Sequence, residues 1–241
     1  MSRWKAGAIH FSISLAVFLV LLAIILIAWY PGILFSIDGG WAGLQIIIGV
    51  DLVLGPLLTL IVFKAGKPSL KFDLTCIATF QAVCMVAGMW IVYAERPIAL
   101  VLAFDTVYSL AQQEFEDFNK DPQVLAEFPG SYPKLIYTEL PEGRVQREIA
   151  AIRSQFIGDP LFIQTENYRV IPEQREAIIE IFTENENLRA SVSEELQAQL
   201  PEDCLFIKFI STIQNGYICF DPEQRRISNF YENDYQRQMQ E

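Results

Sequence analysis

Three long apolar stretches fill most of the first 94 residues, and beyond them apolar and polar positions alternate at short periods. Gly7 to Tyr30 holds no charged residue; His10, Ser12 and Ser14 are its clearly polar side chains near the start. At about 1.5 Å of rise per residue, roughly 20 residues cross a hydrocarbon core of about 30 Å, so this stretch is long enough to span a bilayer. A cleaved signal peptide has an apolar run of only about 7–15 residues before a small-residue site. This run is longer and ends in Trp29-Tyr30-Pro31, which predicts an uncleaved anchor helix with aromatic side chains at the interface. The second stretch, Leu44 to Phe63, carries one charge, Asp51, and one proline, Pro56. The third, Leu74 to Tyr93, is uncharged and carries one amide, Gln81. Three such stretches in succession argue against core helices of a soluble protein.

After residue 95 the periods shorten. Ile98 to Ala103 and Thr106 to Leu110 read as strands. Residues 112–128 read as helical, with apolar positions at Phe115, Phe118, Leu125 and Phe128 and an interruption at Asp121-Pro122. Leu135 to Leu140 reads as a strand before the turn residues Pro141-Glu142-Gly143. Val145, Ile149, Ile152 and Phe156 recur at helical spacing, with a stop at Gly158-Asp159-Pro160. Pro172 to Phe182 repeats that pattern, and Ser193 to Leu200 is a further short helix. Cys204 to Ser211 reads as a strand, Asn215-Gly216 as a tight hairpin turn, and Tyr217 to Phe220 as the partner strand. Asp221-Pro222 opens another turn before Ile227 to Tyr231. The predicted architecture is a three-helix transmembrane module, residues 1–94 with spans of about 7–30, 44–63 and 74–93. Behind it comes a soluble α+β domain, residues 95–241, with a small, largely antiparallel sheet.

Charge separates the same two parts. Residues 1–94 hold five basic and three acidic side chains, leaving thirteen basic and twenty-six acidic ones to residues 95–241. Arg3 and Lys5 precede the first span, and Lys64, Lys67 and Lys71 fill the loop between the second and third. The loop Pro31 to Gly43 has no Lys or Arg. Basic residues mark the cytoplasmic side, so the N-terminus is expected inside and the acidic domain outside, in the periplasm of a Gram-negative cell. A strongly acidic surface repels nucleic acid and anionic headgroups, so no nucleic-acid partner is expected and the domain should stand off the bilayer.

Candidate chemistry lies mainly within the spans. A carboxylate at a helix centre in a membrane costs about 2.5–3.5 kcal/mol, so Asp51 should face protein and have a partner there. Gly55 and Thr59 follow it at four-residue steps on one face, where small residues let a second helix approach. Pro56 removes a donor, which predicts a kink or a freed carbonyl, that of Leu52, near Asp51. Gln81 shares a face with Cys84, Met85 and Gly88, about 8 Å from Asp51 in depth by rise alone. Asp51, Gly55, Pro56, Thr59, Gln81 and Gly88 therefore form a candidate polar node. It either orders the three helices or binds another transmembrane helix or a proton. His10 reads as an interfacial residue.

Outside the spans, Cys204 and Cys219 are a candidate disulfide, although a turn at Asn215-Gly216 would put Thr212 opposite Cys219. The C-terminal domain has no histidine, which excludes a Ser-His-Asp or Cys-His site there, and no Walker or dinucleotide motif is present. Neither a catalytic residue, nor a metal site, nor a cofactor is expected.

The segment Gly49-Val50-Asp51-Leu52-Val53-Leu54-Gly55-Pro56-Leu57-Leu58-Thr59-Leu60, followed by Lys67, Asp73-Leu74, Gln81 and Arg96-Pro97, resembles the membrane module of the type IV pilin accessory proteins, the TfpX/TfpZ-type family. The first 100 residues carry this likeness; the outer domain matches only in plan. The resemblance implies a non-enzymatic inner-membrane protein acting with a cognate pilin subunit or the pilus assembly proteins. A pilin itself is not expected, because Ser12 stands where a prepilin would have Glu, five residues after Gly7. The competing expectations are a membrane-bound enzyme that modifies pilin and an extracytoplasmic ligand sensor.

Overall fold

A computed structural model describes residues 2–140, 143–154, 158–182, 188–201 and 204–232. The chain divides into two compact units, Met1–Arg96 and Pro97–Glu241.

The first unit is helical. Helix α1 (Arg3–Ile24) starts at Ser2, whose hydroxyl accepts a hydrogen bond from the Lys5 backbone N–H at 3.3 Å. It passes into a π-helical turn over Ile25–Trp29. A short helix α2 (Leu34–Ile37) stands in the connection expected to be a plain loop. Helix α3 (Gly40–Ile47), a π-helical segment (Ile48–Leu54) and helix α4 (Gly55–Val62) then follow without a break. Helix α5 (Leu70–Ala94) closes the unit. Three of its helical stretches, Arg3–Trp29, Gly43–Val62 and Leu70–Ala94, are long and apolar enough to cross a membrane.

The middle stretch carries the packing: α1 rests on α4, and α5 rests on α3 and α4. Ile25, Tyr30, Leu44, Ile47 and Val92 form a buried cluster where the three meet. There the Tyr30 hydroxyl donates to the Val92 carbonyl at 3.1 Å, and Trp29 meets Tyr93 edge-on at 5.2 Å.

The second unit is a seven-stranded sheet in the order β4-β3-β1-β2-β5-β6-β7. Strands β1 (Ala99–Ala103) and β2 (Thr106–Leu110) form a two-residue hairpin. Helix α6 (Gln112–Asp117) follows, its first turn fixed by the Glu114 carboxylate accepting from the Ala111 N–H at 2.8 Å. A 3-10 turn (Pro122–Glu127) leads to β3 (Lys134–Thr138), with a break at Asp121 as the sequence predicts. Because this segment crosses over, β3 lies parallel to β1. Helix α7 (Arg144–Ile152) precedes the short β4 (Tyr168–Val170), antiparallel to β3. Helices α8 (Arg175–Phe182), α9 (Leu188–Ser191) and α10 (Glu194–Gln199) lead to β5 (Leu205–Ile210), which is parallel to β2. Strands β6 (Asn215–Asp221) and β7 (Arg226–Glu232) complete the sheet by antiparallel pairing.

Two expectations are corrected here. The sheet is mixed rather than largely antiparallel, because the two crossover connections lay β3 beside β1 and β5 beside β2 in parallel. Asn215-Gly216 is not the hairpin turn: the β5–β6 loop is Ser211–Gln214, closed by the Ser211 N–H donating to the Gln214 carbonyl at 2.9 Å. Gly216 serves a different need. A Cβ there would lie 2.5 Å from the Tyr231 carbonyl oxygen and 2.6 Å from the Phe230 ring, so glycine lets β7 come close.

That register pairs Phe206 with Cys219 and puts Cys204 two positions away on the same face. The two cysteines are joined by a disulfide, with Cα atoms 5.3 Å apart.

The first core cluster gathers Ala99, Val101, Phe115, Leu125, Ile136 and Ile163. Every residue of β1 is buried, as expected of a strand covered on both faces. The stripe Val145, Ile149 and Ile152 on α7 stands exposed. Phe156 and the turn residues Pro141 and Glu142, also singled out from the sequence, lie outside the described residues.

Candidate functional site: the polar interior of the helical unit

Pro56 shapes the site. Its ring nitrogen cannot donate, and the helix ahead of it widens to the π register, in which the Gly55 N–H bonds five residues back to Val50. In that register residue 56 would donate to the carbonyl of Asp51. In this register the Asp51 carbonyl, next to that of Leu52, is left without the donor that a residue other than proline would supply. Gln81 of α5 replaces the missing donor: its Nε2 donates to the Asp51 backbone oxygen at 3.4 Å. The side chain reaches it by crossing bare backbone at Gly55, where an added Cβ would sit 1.9 Å from Gln81 Nε2. The separation in depth inferred from helix rise is thus closed by the length of the glutamine side chain.

One turn further along, the Thr59 hydroxyl and His10 Nδ1 share a hydrogen bond of 2.6 Å, tying α4 to α1. Pro56 and Thr59 are buried, and Gly88 lets α5 pack against Ile47. Gly55, Thr59, Gln81 and Gly88 accordingly hold the three helices to one another. His10 belongs to this set although its position near the helix start suggested an interfacial role. The signal was available: His10 and Ser14 lie four residues apart on one face of an otherwise apolar helix.

Asp51 differs from its neighbours. Its side chain is buried, and Oδ2 has no hydrogen-bond partner among the described residues. The residue lines a cleft of about 170 Å³ whose walls include Val17 and Leu21 of α1 and Ala78 and Ala82 of α5. The lining is otherwise almost wholly apolar, apart from Ser14 and Gln81. Such an arrangement can bind and orient a group that donates to a carboxylate. Among the described residues no cluster of three His, Cys, Asp or Glu side chains is placed to hold a metal ion.

Comparison with known proteins bears on this architecture. A fimbrial assembly protein of serogroups C1 and C2 from Dichelobacter nodosus is 33% identical over 110 residues, which cover 45% of this chain and 84% of that protein. This chain belongs to the fimbrial assembly protein family. The fimbrial assembly proteins of serogroups I and E1 from the same organism are each 32% identical over 126 residues, 52% of this chain and 49% of theirs. The chain thus spans about half the length of these two relatives. Their names identify the fimbrial assembly family at large and do not single out the TfpX/TfpZ type. No protein-family profile and no solved structure matches the chain.

Proposed function

We propose that this protein is a non-enzymatic, TfpX/TfpZ-type accessory protein of type IV pilus assembly in the inner membrane, acting on a cognate pilin subunit or on the assembly machinery. The observation that carries the proposal is its membership of the fimbrial assembly family. Three helices of membrane-crossing length, with basic residues at alternate ends, support a multi-pass topology with a cytoplasmic N-terminus and a periplasmic sheet domain. The Cys204–Cys219 bridge supports the same placement, since disulfides persist in oxidising compartments.

Deletion of the gene tests this reading. Surface pili should be lost or strongly reduced while the pilin retains its normal mass. Normal piliation would remove the assembly role, and an altered pilin mass would favour a modifying enzyme. Protease added to opened cells should cut the sheet domain; a protected domain would overturn the topology.

A further inference from the structure

We infer that the cleft between α1 and α5 is a lateral docking slot for one apolar helix of a second protein, which inserts a hydrogen-bond donor against the Asp51 carboxyl group. The inference rests on the membrane reading above and adds the chemistry of the partner.

Shape comes first. The cleft follows α1 from Ile13 to Leu21, nine residues whose ends lie about 12 Å apart. Its volume, about 170 Å³, suits one inserted side chain rather than a helix, because cavities on the order of 150 Å³ take a benzene-sized group. The partner helix would therefore lie along the open side and send one residue inward. Ser14, Ala78 and Ala82 on the rims are small, which permits close helix approach.

Charge decides the occupant. Asp51 is only 7% exposed, and its unpaired Oδ2 costs free energy until a donor reaches it. Gln81 is the donor nearest at hand; its amide donates to the Asp51 backbone carbonyl and also interacts with the carboxyl group, yet Oδ2 keeps no hydrogen-bond partner among the described residues. The proline, the π turn and the glutamine thus stabilise the backbone and leave Oδ2 of the carboxyl group without a partner among the described residues. A lipid acyl chain fits an apolar groove but cannot donate to an oxygen. A helix bearing a hydroxyl, amide or amine part-way along its length satisfies both the walls and the floor.

In-membrane photocrosslinking on the full chain tests this. A photoreactive residue placed at Ser14 or at Ala82 should give an adduct with a second polypeptide, and one at Ile61, which is 71% exposed on α4 and lies outside the cleft, should not. With the probe at Ala82, Asp51→Leu should reduce the adduct about five- to tenfold, as the loss of one intramembrane hydrogen bond implies. Ser14→Leu, which fills the cleft and leaves Asp51 in place, should do the same at unchanged membrane abundance. Asp51→Asn keeps an acceptor and should retain the adduct. Adducts with lipid alone, adducts with another copy of this chain alone, or an adduct insensitive to both leucine variants would overturn the slot. Loss of the slot with pili still dependent on the gene would leave the assembly role standing. An adduct in cells whose piliation ignores the gene would retain the slot and remove the role.

Discussion

In the sheet domain Phe115, Ile136 and Phe209 are fully buried, and charged side chains crowd the surface; in the helical unit the placement is reversed. There Ile61, Phe72 and Trp90 are 71%, 71% and 68% exposed, while Asp51, Thr59 and Gln81 are buried. One chain therefore applies opposite rules in its two halves, and the difference supports the membrane placement proposed for the first. The consequence for function is direct. Under that proposal a polar group inside the helical unit cannot turn to water and must find a partner in protein, so an unpaired one is informative. An exposed carboxylate of the sheet domain already has water.

The largest test of this contrast pairs two aromatic truncations. Phe115→Ala removes a ring at the centre of the sheet domain's core and should cost about 3–5 kcal/mol, followed by thermal unfolding of the full protein in detergent. Trp90→Ala removes an outward ring of comparable size and should change stability by less than about 0.5 kcal/mol in the same assay. Equal costs would break the comparison. Next in size is the bridge between β5 and its neighbour. Cys204→Ser should destabilise the sheet domain by about 2–4 kcal/mol, seen as faster protease cleavage, and leave the helical unit unchanged.

Within the helical unit the expected effects are smaller. Gly55→Ala sets a methyl against the Gln81 amide and should cost about 1–3 kcal/mol through displacement of that side chain. Resistance of the helical unit to denaturing detergent reports it. A neutral result would mean that Gln81 swings aside without loss and that its bond to the Asp51 carbonyl contributes little.

The two halves also differ in what the sequence reveals. Apolar stretches long enough to cross a bilayer are local facts, so the helices and the burial of Asp51 against protein could be read directly, but not that its Oδ2 lacks a partner among the described residues. Strand positions such as Ile98 to Ala103 were local as well. The order of the strands was not: nothing near Leu135 says that its strand lies parallel to β1, because the choice depends on where α6 and the 3-10 turn carry the chain. Tyr168 to Val170 is too short to show a period. Gly216 was legible as a glycine with a special role, but its neighbour Asn215 suggested the wrong one; the decisive contact, Tyr231, is fifteen residues away. Likewise Pro56 announced a freed carbonyl near Asp51, but the donor that reaches the Asp51 carbonyl, Gln81, comes from another helix, and only the folded unit shows that.

The smallest expected effect tests the opposite side of the contrast, a carboxylate that has both water and partners. Asp105, in the β1–β2 turn, accepts from Lys208 Nζ at 2.5 Å and from the Thr106 hydroxyl at 2.9 Å. Partial burial pushes its pKa up, but the Lys208 and Thr106 bonds outweigh that, and it lies below the usual carboxylate value. A carboxyl whose pKa is lower folded than unfolded stabilises the fold above the unfolded pKa, about 3.9. That contribution fades as pH falls through the lower folded value. Asp105→Asn should therefore cost about 0.2–1 kcal/mol at neutral pH, the range for exposed pairs. The gap from the parent protein should close between pH 4 and lower pH. Because Lys208 lies on β5, the pair ties the hairpin turn to the central strands, and the loss should appear in the sheet domain alone. A gap that persists undiminished in acid would show that Asp105 acts through turn geometry rather than charge.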